Sequence, residues 1–259
     1  MREPAVSIRE LTVTFPGKRN GEVVPVLQNV SADVMRGEFV CVVGPSGCGK
    51  STLLNIVAGF VPATAGRVLV EGELVTRPDP RRIFVFQENG VFPWLTVREN
   101  ISFGLRRKTE AEREGLIRRY VDMVGLGGFE EMYPRELSGG MRQRVEIARA
   151  LAADPDIIYM DEPFGALDFL TRLKMRADLV RIWQTERKTI LFVTHDIEEA
   201  VQLADRIFVM TKRPAQLQKI VEVNLPRPRS LDAPDYLRTR DEIFHLMGMS
   251  VRVGESVIP

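Results

Sequence analysis

Residues 44–51 read GPSGCGKS and directly follow the apolar run Phe39–Val43. A strand that leads into G-x-x-x-x-G-K-S, and then into a helix, is the pattern of a phosphate-binding loop. The glycines let backbone N–H groups turn toward phosphate oxygens, and a helix over about 52–58 would add the positive end of its dipole. The stretch therefore predicts a nucleotide site at the end of a strand in an α/β domain.

The same motif predicts the role of individual residues. Lys50 would reach the β- and γ-phosphates, and the hydroxyl of Ser51 would ligate Mg²⁺. The other expected phosphate contacts come from the backbone and side chains of Gly44, Pro45, Ser46, Gly47, Cys48, Gly49 and Thr52.

The composition of the chain is that of an ordinary globular protein. Its 259 residues fit one domain or a core with an inserted subdomain. The 36 basic and 35 acidic residues give a net charge of +1, which does not favour a nucleic-acid partner. No apolar run approaches the roughly 18 residues of a membrane span, and no signal peptide is expected. The two cysteines, Cys41 and Cys48, form no C-x-x-C pair and fit a reducing cytoplasm.

Hydrophobic periodicity predicts an α/β core that is interrupted by a helical block. We expect one nucleotide-binding domain over 1–259, with its core at about 1–87 and 155–215, a helical subdomain at about 88–154 and a short C-terminal extension at about 216–259. Within the block, Thr109 and Glu112 form the capping-box pattern at the start of a helix. The extension carries the sequence LPRPR at 225–229 and a further predicted helix.

Residues 157–163 read IIYMDEP, a buried strand that delivers two adjacent carboxylates at its C-terminal end. Ligands of open α/β sheets bind at that end. Asp161 is then placed to hold Mg²⁺, and Glu162 to orient and deprotonate an attacking water. A solvated Asp-Glu turn is the alternative, and the phosphate loop disfavours it.

The order of these motifs resembles the ATP-binding subunit of an ABC (ATP-binding cassette) transporter. The run LSGGMRQRVEIARA at 137–150 is similar to the family signature and precedes IIYMDEP, as in the family. The resemblance covers about 6–210. It further matches Gln87 with the Q-loop, 165–168 (GALD) with the D-loop, His195 with the switch histidine, and Phe15 with the aromatic that stacks on adenine.

The resemblance implies a P-loop NTPase (RecA-like) α/β core with an N-terminal antiparallel β subdomain and an inserted helical subdomain. It implies catalytic roles for Glu162, His195, Lys50 and Gln87, and Mg²⁺ ligation by Ser51, Gln87 and Asp161. Two copies would pack head to tail, so that Ser138, Gly139, Gly140, Met141 and Asp168 of one copy contact the ATP of the other. Met141 stands where many members have Gln.

Several of these residues also have simpler interpretations. Ser138 can be an ordinary helix N-cap, His195 a structural histidine, and Phe15 a packing aromatic. His195 follows a buried strand at the predicted ligand edge, which favours a γ-phosphate contact. For Ser138, the family match and the two-site dimer favour the nucleotide contact.

The segment 86–100, FQENGVFPWLTVREN, resembles the nitrate/sulfonate/taurine group of importers. That resemblance implies transmembrane permease subunits, a periplasmic or lipid-anchored solute-binding protein, and a peripheral position on the cytoplasmic face of the inner membrane. Phe92 and Trp94 are expected at the groove that receives a helix of the membrane subunit; packing inside the helical block is the alternative.

Other members of the family remain as alternative interpretations. They are an importer for a thiamine-precursor pyrimidine, a non-transport ABC ATPase of DNA repair or translation, a regulatory module that does not hydrolyse ATP, and an exporter cassette. Non-transport members usually carry coiled coils or two cassettes, and exporter cassettes are commonly fused to membrane segments; neither feature is in this chain. Glu162 and His195 argue against a regulatory module without hydrolysis.

Overall fold

A computed structural model describes residues 4–17, 19, 21–87, 90–105, 108–165 and 167–249. Three of the segments discussed above are affected: Glu88 and Asn89 near the Q-loop, Ala166 of the D-loop and residues 250–259 of the extension lie outside the described residues. The chain forms two compact units. The first contains residues up to Asp79 and from Thr189 onward, and the second contains residues 80–188.

The described residues form ten strands and seven α-helices. The strands are β1 (Pro4–Pro16), β2 (Val23–Met35), β3 (Phe39–Val43), β4 (Ala65–Val70), β5 (Glu73–Leu74), β6 (Arg82–Val85), β7 (Ile157–Asp161), β8 (Thr189–Val193), β9 (Arg206–Met210) and β10 (Leu217–Glu222). The helices are α1 (Lys50–Val57), α2 (Val97–Ser102), α3 (Glu110–Met123), α4 (Gly139–Ala152), α5 (Phe169–Glu186), α6 (Ile197–Leu203) and α7 (Pro234–Leu246).

The first unit contains an antiparallel sheet with the strand order β2-β1-β4-β5. Residues of β1 such as Val6, Ile8 and Val13 are buried, as a strand with one face on a core requires. The pairing of β1 with β2 is irregular, and positive φ angles at Glu10 (49°) and Asn29 (51°) accompany the register shifts.

The first unit also contains a mainly parallel sheet centred on β3. This strand pairs in parallel with β8 on one side and with β9 on the other, and β10 pairs antiparallel with β9. All five residues of β3 and all five of β8 are buried. Central parallel strands are buried on both faces, which explains their continuous apolar sequences.

The second unit combines the parallel pair β6 and β7 with the helices α2 to α5. The capping box predicted at Thr109 is confirmed: its amide donates to Glu112 Oε2 at 2.8 Å, and the Glu112 amide donates back to Thr109 Oγ1 at 3.4 Å. A second capping box joins Thr96 and Glu99 at the start of α2. These caps fix where the two helices begin.

The LPRPR segment ties the C-terminal extension to the end of α6. Arg229 donates to the carbonyl oxygens of Val201 (2.6 Å) and Ala204 (2.7 Å), and Arg227 donates to Asp205 (2.8 Å). Burial lowers the pKa of Arg229 to about 10. Arg229 therefore satisfies carbonyls that the last turn of a helix leaves without intrahelical partners.

Candidate active site

The glycine-rich loop connects β3 to α1 within the first unit. Gly47 and Gly49 have φ angles of 71° and 120°, a region that other residues rarely adopt. A Cβ on Gly49 would lie 2.8 Å from Val26 Cγ1 of β2. Gly49 therefore meets two requirements at once, a positive φ angle and a close approach to the antiparallel sheet.

Lys50 is the first residue of α1, and its side chain is buried inside the loop. Its Nζ donates to the carbonyl oxygens of Gly44 (2.9 Å) and Pro45 (3.2 Å). Gly49 has no side chain and therefore gives α1 no side-chain cap, and the positive N-terminal end of a helix attracts an anion. A buried ammonium that rests on neutral carbonyls beside such a helix end fits a phosphate group.

His195 lies at the same edge of the parallel sheet as the loop. Val42 of β3 pairs with Val193 of β8, and the Thr194 amide donates to the Val42 carbonyl at 3.2 Å. Both strands run in the same direction, so the exposed His195 and the loop that starts at Gly44 follow neighbouring strand ends.

Phe15 lies near the end of β1, opposite Val24 of β2, and its side chain is 38% exposed. The strand β2 is also the one that approaches Gly49 through Val26. A partly exposed aromatic on this strand pair can offer a ring face for stacking.

The second unit brings Gln87, Asp161 and Glu162 to one sheet edge. Val85 of β6 pairs in parallel with Met160 of β7, and the three residues follow closely after these positions. Asp161 is buried, Glu162 is half-buried and Gln87 is exposed.

The backbone at Glu162 has a φ angle of 46°, unusual for a residue with a side chain. The turn is closed by the Gly165 amide, which donates to the Glu162 carbonyl at 3.1 Å. Such a conformation costs about 1–3 kcal/mol and is concentrated at functional sites. With this φ angle, the Glu162 side chain leaves the backbone in a different direction from that of a residue in a regular strand.

The predicted signature and D-loop residues lie at two helix starts of the second unit. Ser138 is the N-cap of α4, with its Oγ accepting from the Met141 amide at 3.2 Å, so the simpler interpretation applies as well. Gly139, the first residue of α4, is exposed, and the N-terminal end of a helix attracts anions. Asp168 caps α5, and hydrogen bonds from the Thr171 hydroxyl and amide hold its pKa below the ordinary value.

The residues predicted to hold Mg²⁺ offer the chemistry that this ion prefers. Ser51, Gln87 and Asp161 contribute a hydroxyl, an amide oxygen and a carboxylate, and Mg²⁺ takes oxygen ligands. Ser51 lies in the first turn of α1, and the other two lie at the β6–β7 edge described above.

Two charged residues of α4 near Gln87 were not predicted from the sequence. Glu146 accepts from the amides of Phe86 (2.9 Å) and Gly90 (3.1 Å), and Arg149 stacks on the ring of Phe92. The available sequence signal is weak: Glu146 and Arg149 belong to a helix that also carries many buried residues.

Comparison with known proteins shows the family of this chain. A family profile described as "ABC transporter" matches residues 27–165, more than half of the chain. The chain belongs to the ABC transporter family. An uncharacterised ABC transporter ATP-binding protein of Methanocaldococcus jannaschii is 46% identical over 244 residues, covering 93% of this chain and 91% of that protein.

Two further proteins are similar to this chain, one in sequence and one in structure. An aliphatic sulfonates import ATP-binding protein SsuB of Bacillus cereus is 45% identical over 239 residues, covering 92% of this chain and 94% of that protein. A solved ATP-binding cassette, described as a dimer in a post-hydrolysis state bound to ADP and Pi, has a TM-score of 0.75 and 33% identity and covers 85% of this chain and 100% of that chain.

These likenesses confirm the predicted fold class, a P-loop NTPase α/β cassette. The ABC cassette is an ATP-binding, ATP-hydrolysing domain, so the chain is an ATPase. Within the ranges that the structure describes, no helix combines the length and apolar character needed to cross a membrane.

Proposed function

We propose that this ABC ATPase powers the import of a small solute such as nitrate, a sulfonate or taurine, with an aliphatic sulfonate as the leading substrate. The observation that carries the proposal is the 45% identity to a sulfonate import subunit, which covers 92% of this chain and 94% of that protein. The resemblance of residues 86–100 to the nitrate/sulfonate/taurine importers supports the same group.

The phosphate loop binds the ATP that drives this transport. Lys50 exchanges its two loop carbonyls for the β- and γ-phosphates, and N–H groups at the start of α1 donate to phosphate oxygens. Phe15 stacks on the adenine ring. The remaining loop residues, Gly44, Pro45, Ser46, Gly47, Cys48, Gly49, Ser51 and Thr52, surround the phosphates.

The chemistry is positioning and electrostatic stabilisation, as in other phosphoryl transfers. Glu162 accepts a proton from the attacking water, and His195 donates a hydrogen bond to the γ-phosphate. Mg²⁺, held by Ser51, Gln87 and Asp161, would neutralise charge on the β- and γ-phosphates when bound. Gln87 also orients the attacking water.

A second copy of the chain completes each site. Ser138, Gly139, Gly140, Met141 and Asp168 of one copy contact the nucleotide of the other in a head-to-tail dimer, which gives two equivalent sites. The solved relative described as dimeric supports this assembly.

The dimer works on transmembrane permease subunits, at the cytoplasmic face of the inner membrane, and a solute-binding protein delivers the substrate. Trp94 supports such a partner, because its side chain is 70% exposed, and a large aromatic is costly to leave in water. The permease would cover Trp94 together with the adjacent Phe92.

Growth on a sulfonate as the only sulfur source tests the substrate. Deletion of the gene should abolish this growth but leave growth on sulfate unchanged. The wild-type gene should restore it, and the Glu162→Gln gene should not. Normal growth of the deletion strain on sulfonates would reject sulfonate as the substrate. Growth on taurine as the only sulfur source and on nitrate as the only nitrogen source would then test those two solutes.

A further inference from the structure

A buried carboxylate of α4 holds both ends of the segment that contains Gln87. Glu146 is 2% exposed. Its Oε1 accepts from the Phe86 amide at 2.9 Å and its Oε2 from the Gly90 amide at 3.1 Å. Each oxygen therefore takes one backbone N–H, and the two amides lie on either side of Gln87.

Arg149 lies about one helical turn further along α4 and contacts a backbone carbonyl and an aromatic ring of the same loop. It donates to the Gly90 carbonyl, and its guanidinium lies 4.5 Å from the centre of the Phe92 ring. The Phe92 backbone is fixed in turn by Asn100, which accepts from its amide at 2.8 Å and donates to its carbonyl at 3.1 Å.

A buried carboxylate at this position of α4 is costly compared with a buried aliphatic side chain. Burial raises the pKa of Glu146, while the Phe86 amide, Arg149 and the Gly90 amide act in the opposite direction. Burying a carboxylate is tolerated where hydrogen bonds and a cation compensate it, and replacement by an apolar residue is often no less stable. Global stability alone is therefore a weak reason for a charge at this position.

We infer that Glu146, supported by Arg149, is a positioning residue that fixes Gln87 for hydrolysis. This inference rests on the role of Gln87 in the proposed function. The helix that presents Ser138 at its start holds the Gln87 segment at its middle, through Glu146. A rigid helix thus links the predicted contact with the partner's nucleotide to the residue that orients water in the chain's own site.

The test compares Glu146→Ala with variants that separate positioning from stability. Ile147→Val is the matched control, because Ile147 is the next residue of α4 and is buried, but has no part in the loop hydrogen bonds described above. Glu146→Gln is isosteric and keeps one acceptor oxygen, so it serves if the alanine variant folds poorly. Gln87→Ala reports the loss of the positioned residue itself.

We expect Glu146→Ala to lower kcat for ATP hydrolysis by roughly 10- to 100-fold, as misplacement of a catalytic group does. The concentration of Mg²⁺ needed for half-maximal activity should rise, while the Kd for ATP without metal stays within about twofold, because the phosphate loop is untouched. Hydrogen exchange of the Phe86 and Gly90 amides should become faster. Ile147→Val should lower Tm and change none of these other quantities.

Gly90→Ala tests the same contact from the loop side. A Cβ at Gly90 would overlap the Glu146 carboxylate, so the carboxylate cannot keep its place. The single variant should reproduce the kinetic defect of Glu146→Ala. The double variant should be no worse than Glu146→Ala alone, since residues in direct contact are not additive.

The outcomes distinguish failure of the positioning role of Glu146 from failure of the role of Gln87 in the proposed function. A kcat that falls in Gln87→Ala but not in Glu146→Ala or Glu146→Gln would overturn the positioning role of Glu146 and leave the proposed function intact. Wild-type kcat in all three variants would overturn the role of Gln87 as well. If the kcat losses of Glu146→Ala and Gly90→Ala add in the double variant, the two residues do not act together. That result, or an Ile147→Val variant with as large a loss of kcat as Glu146→Ala, would assign Glu146 to stability alone.

Discussion

Single residues carry the proposed chemistry of this ATPase, and two of them combine a proposed role with an unusual backbone conformation. Glu162 and Gly49 both have positive φ angles, 46° and 120°. The phosphate loop was predictable because all of its requirements fall within eight consecutive residues. The backbone at Glu162 was not, because nothing in the sequence IIYMDEP specifies a left-handed residue.

Glu162→Gln should bind ATP but hydrolyse it about 10²- to 10⁴-fold more slowly, the usual cost of losing a general base. Slow hydrolysis should leave the ATP-bound dimer populated. Size-exclusion chromatography with ATP and a phosphate-release assay measure the two effects. Turnover at the wild-type rate would remove Glu162 from the catalytic step.

Gly49→Ala should destabilise the protein by about 1–3 kcal/mol, because alanine must adopt a positive φ and its Cβ approaches Val26. Gly115→Ala is the matched control. Apart from its chain neighbours and the nearby backbone of α3, a Cβ there would meet no heavy atom of the described residues within 4 Å, and α3 should gain about 0.4–1 kcal/mol. Chemical denaturation of both variants tests this difference, and equal stabilities would contradict it.

At the scale of elements, local signals predicted the helices better than the strands. The helix start at Thr109 follows from a capping box of four residues, and the start at Ser138 follows from a serine, a favoured N-cap residue. The strands β2 and β10 were not predicted, because β2 has an irregular burial pattern broken by register shifts and β10 is an edge strand with exposed residues. The contact of Glu146 with Phe86 spans 60 residues, so no local pattern could reveal it.

The exposed Trp94 belongs to the loop between β6 and α2. Trp94→Ala should leave Tm and ATP binding of the isolated chain unchanged, because the side chain is 70% exposed. Copurification with the permease should fail, or solute-stimulated ATPase should be lost. Phe92→Ala is the comparison: it also loses contacts with Phe103 and Arg149 and should lower Tm. A lower Tm with normal assembly for Trp94→Ala would contradict the interface role.

The LPRPR segment should stabilise the first unit through the end of α6. Arg229→Leu removes the donor for the Val201 and Ala204 carbonyls and should cost about 1–3 kcal/mol. The control is Arg238→Ala, which removes an exposed ion pair with Asp235 and should change stability by less than about 1 kcal/mol. Denaturant titration of the two variants compares them, and an equal loss would contradict the assignment.

At the scale of the whole molecule, the sequence predicts the family and the fold class but not the transported solute. The motifs from Phe15 to His195 are the ones predicted to bind and hydrolyse ATP, and none of them is predicted to contact the solute. In the proposed function, the solute would be selected by the permease and the solute-binding protein rather than by this chain. To move a transporter from 1:99 to 99:1 between two states takes about 5.5 kcal/mol of differential binding, which two ATP molecules bound across a dimer interface can supply.

Hydrolysis of ATP at the GPSGCGKS loop is the step on which every proposed role depends. The decisive measurement is phosphate release by the chain assembled with its permease, compared with Lys50→Ala in the same assembly. Lys50 is the buried cation of the loop, so its loss should reduce phosphate release to background and weaken ATP binding. Phosphate release by Lys50→Ala at the wild-type rate would contradict the central claim.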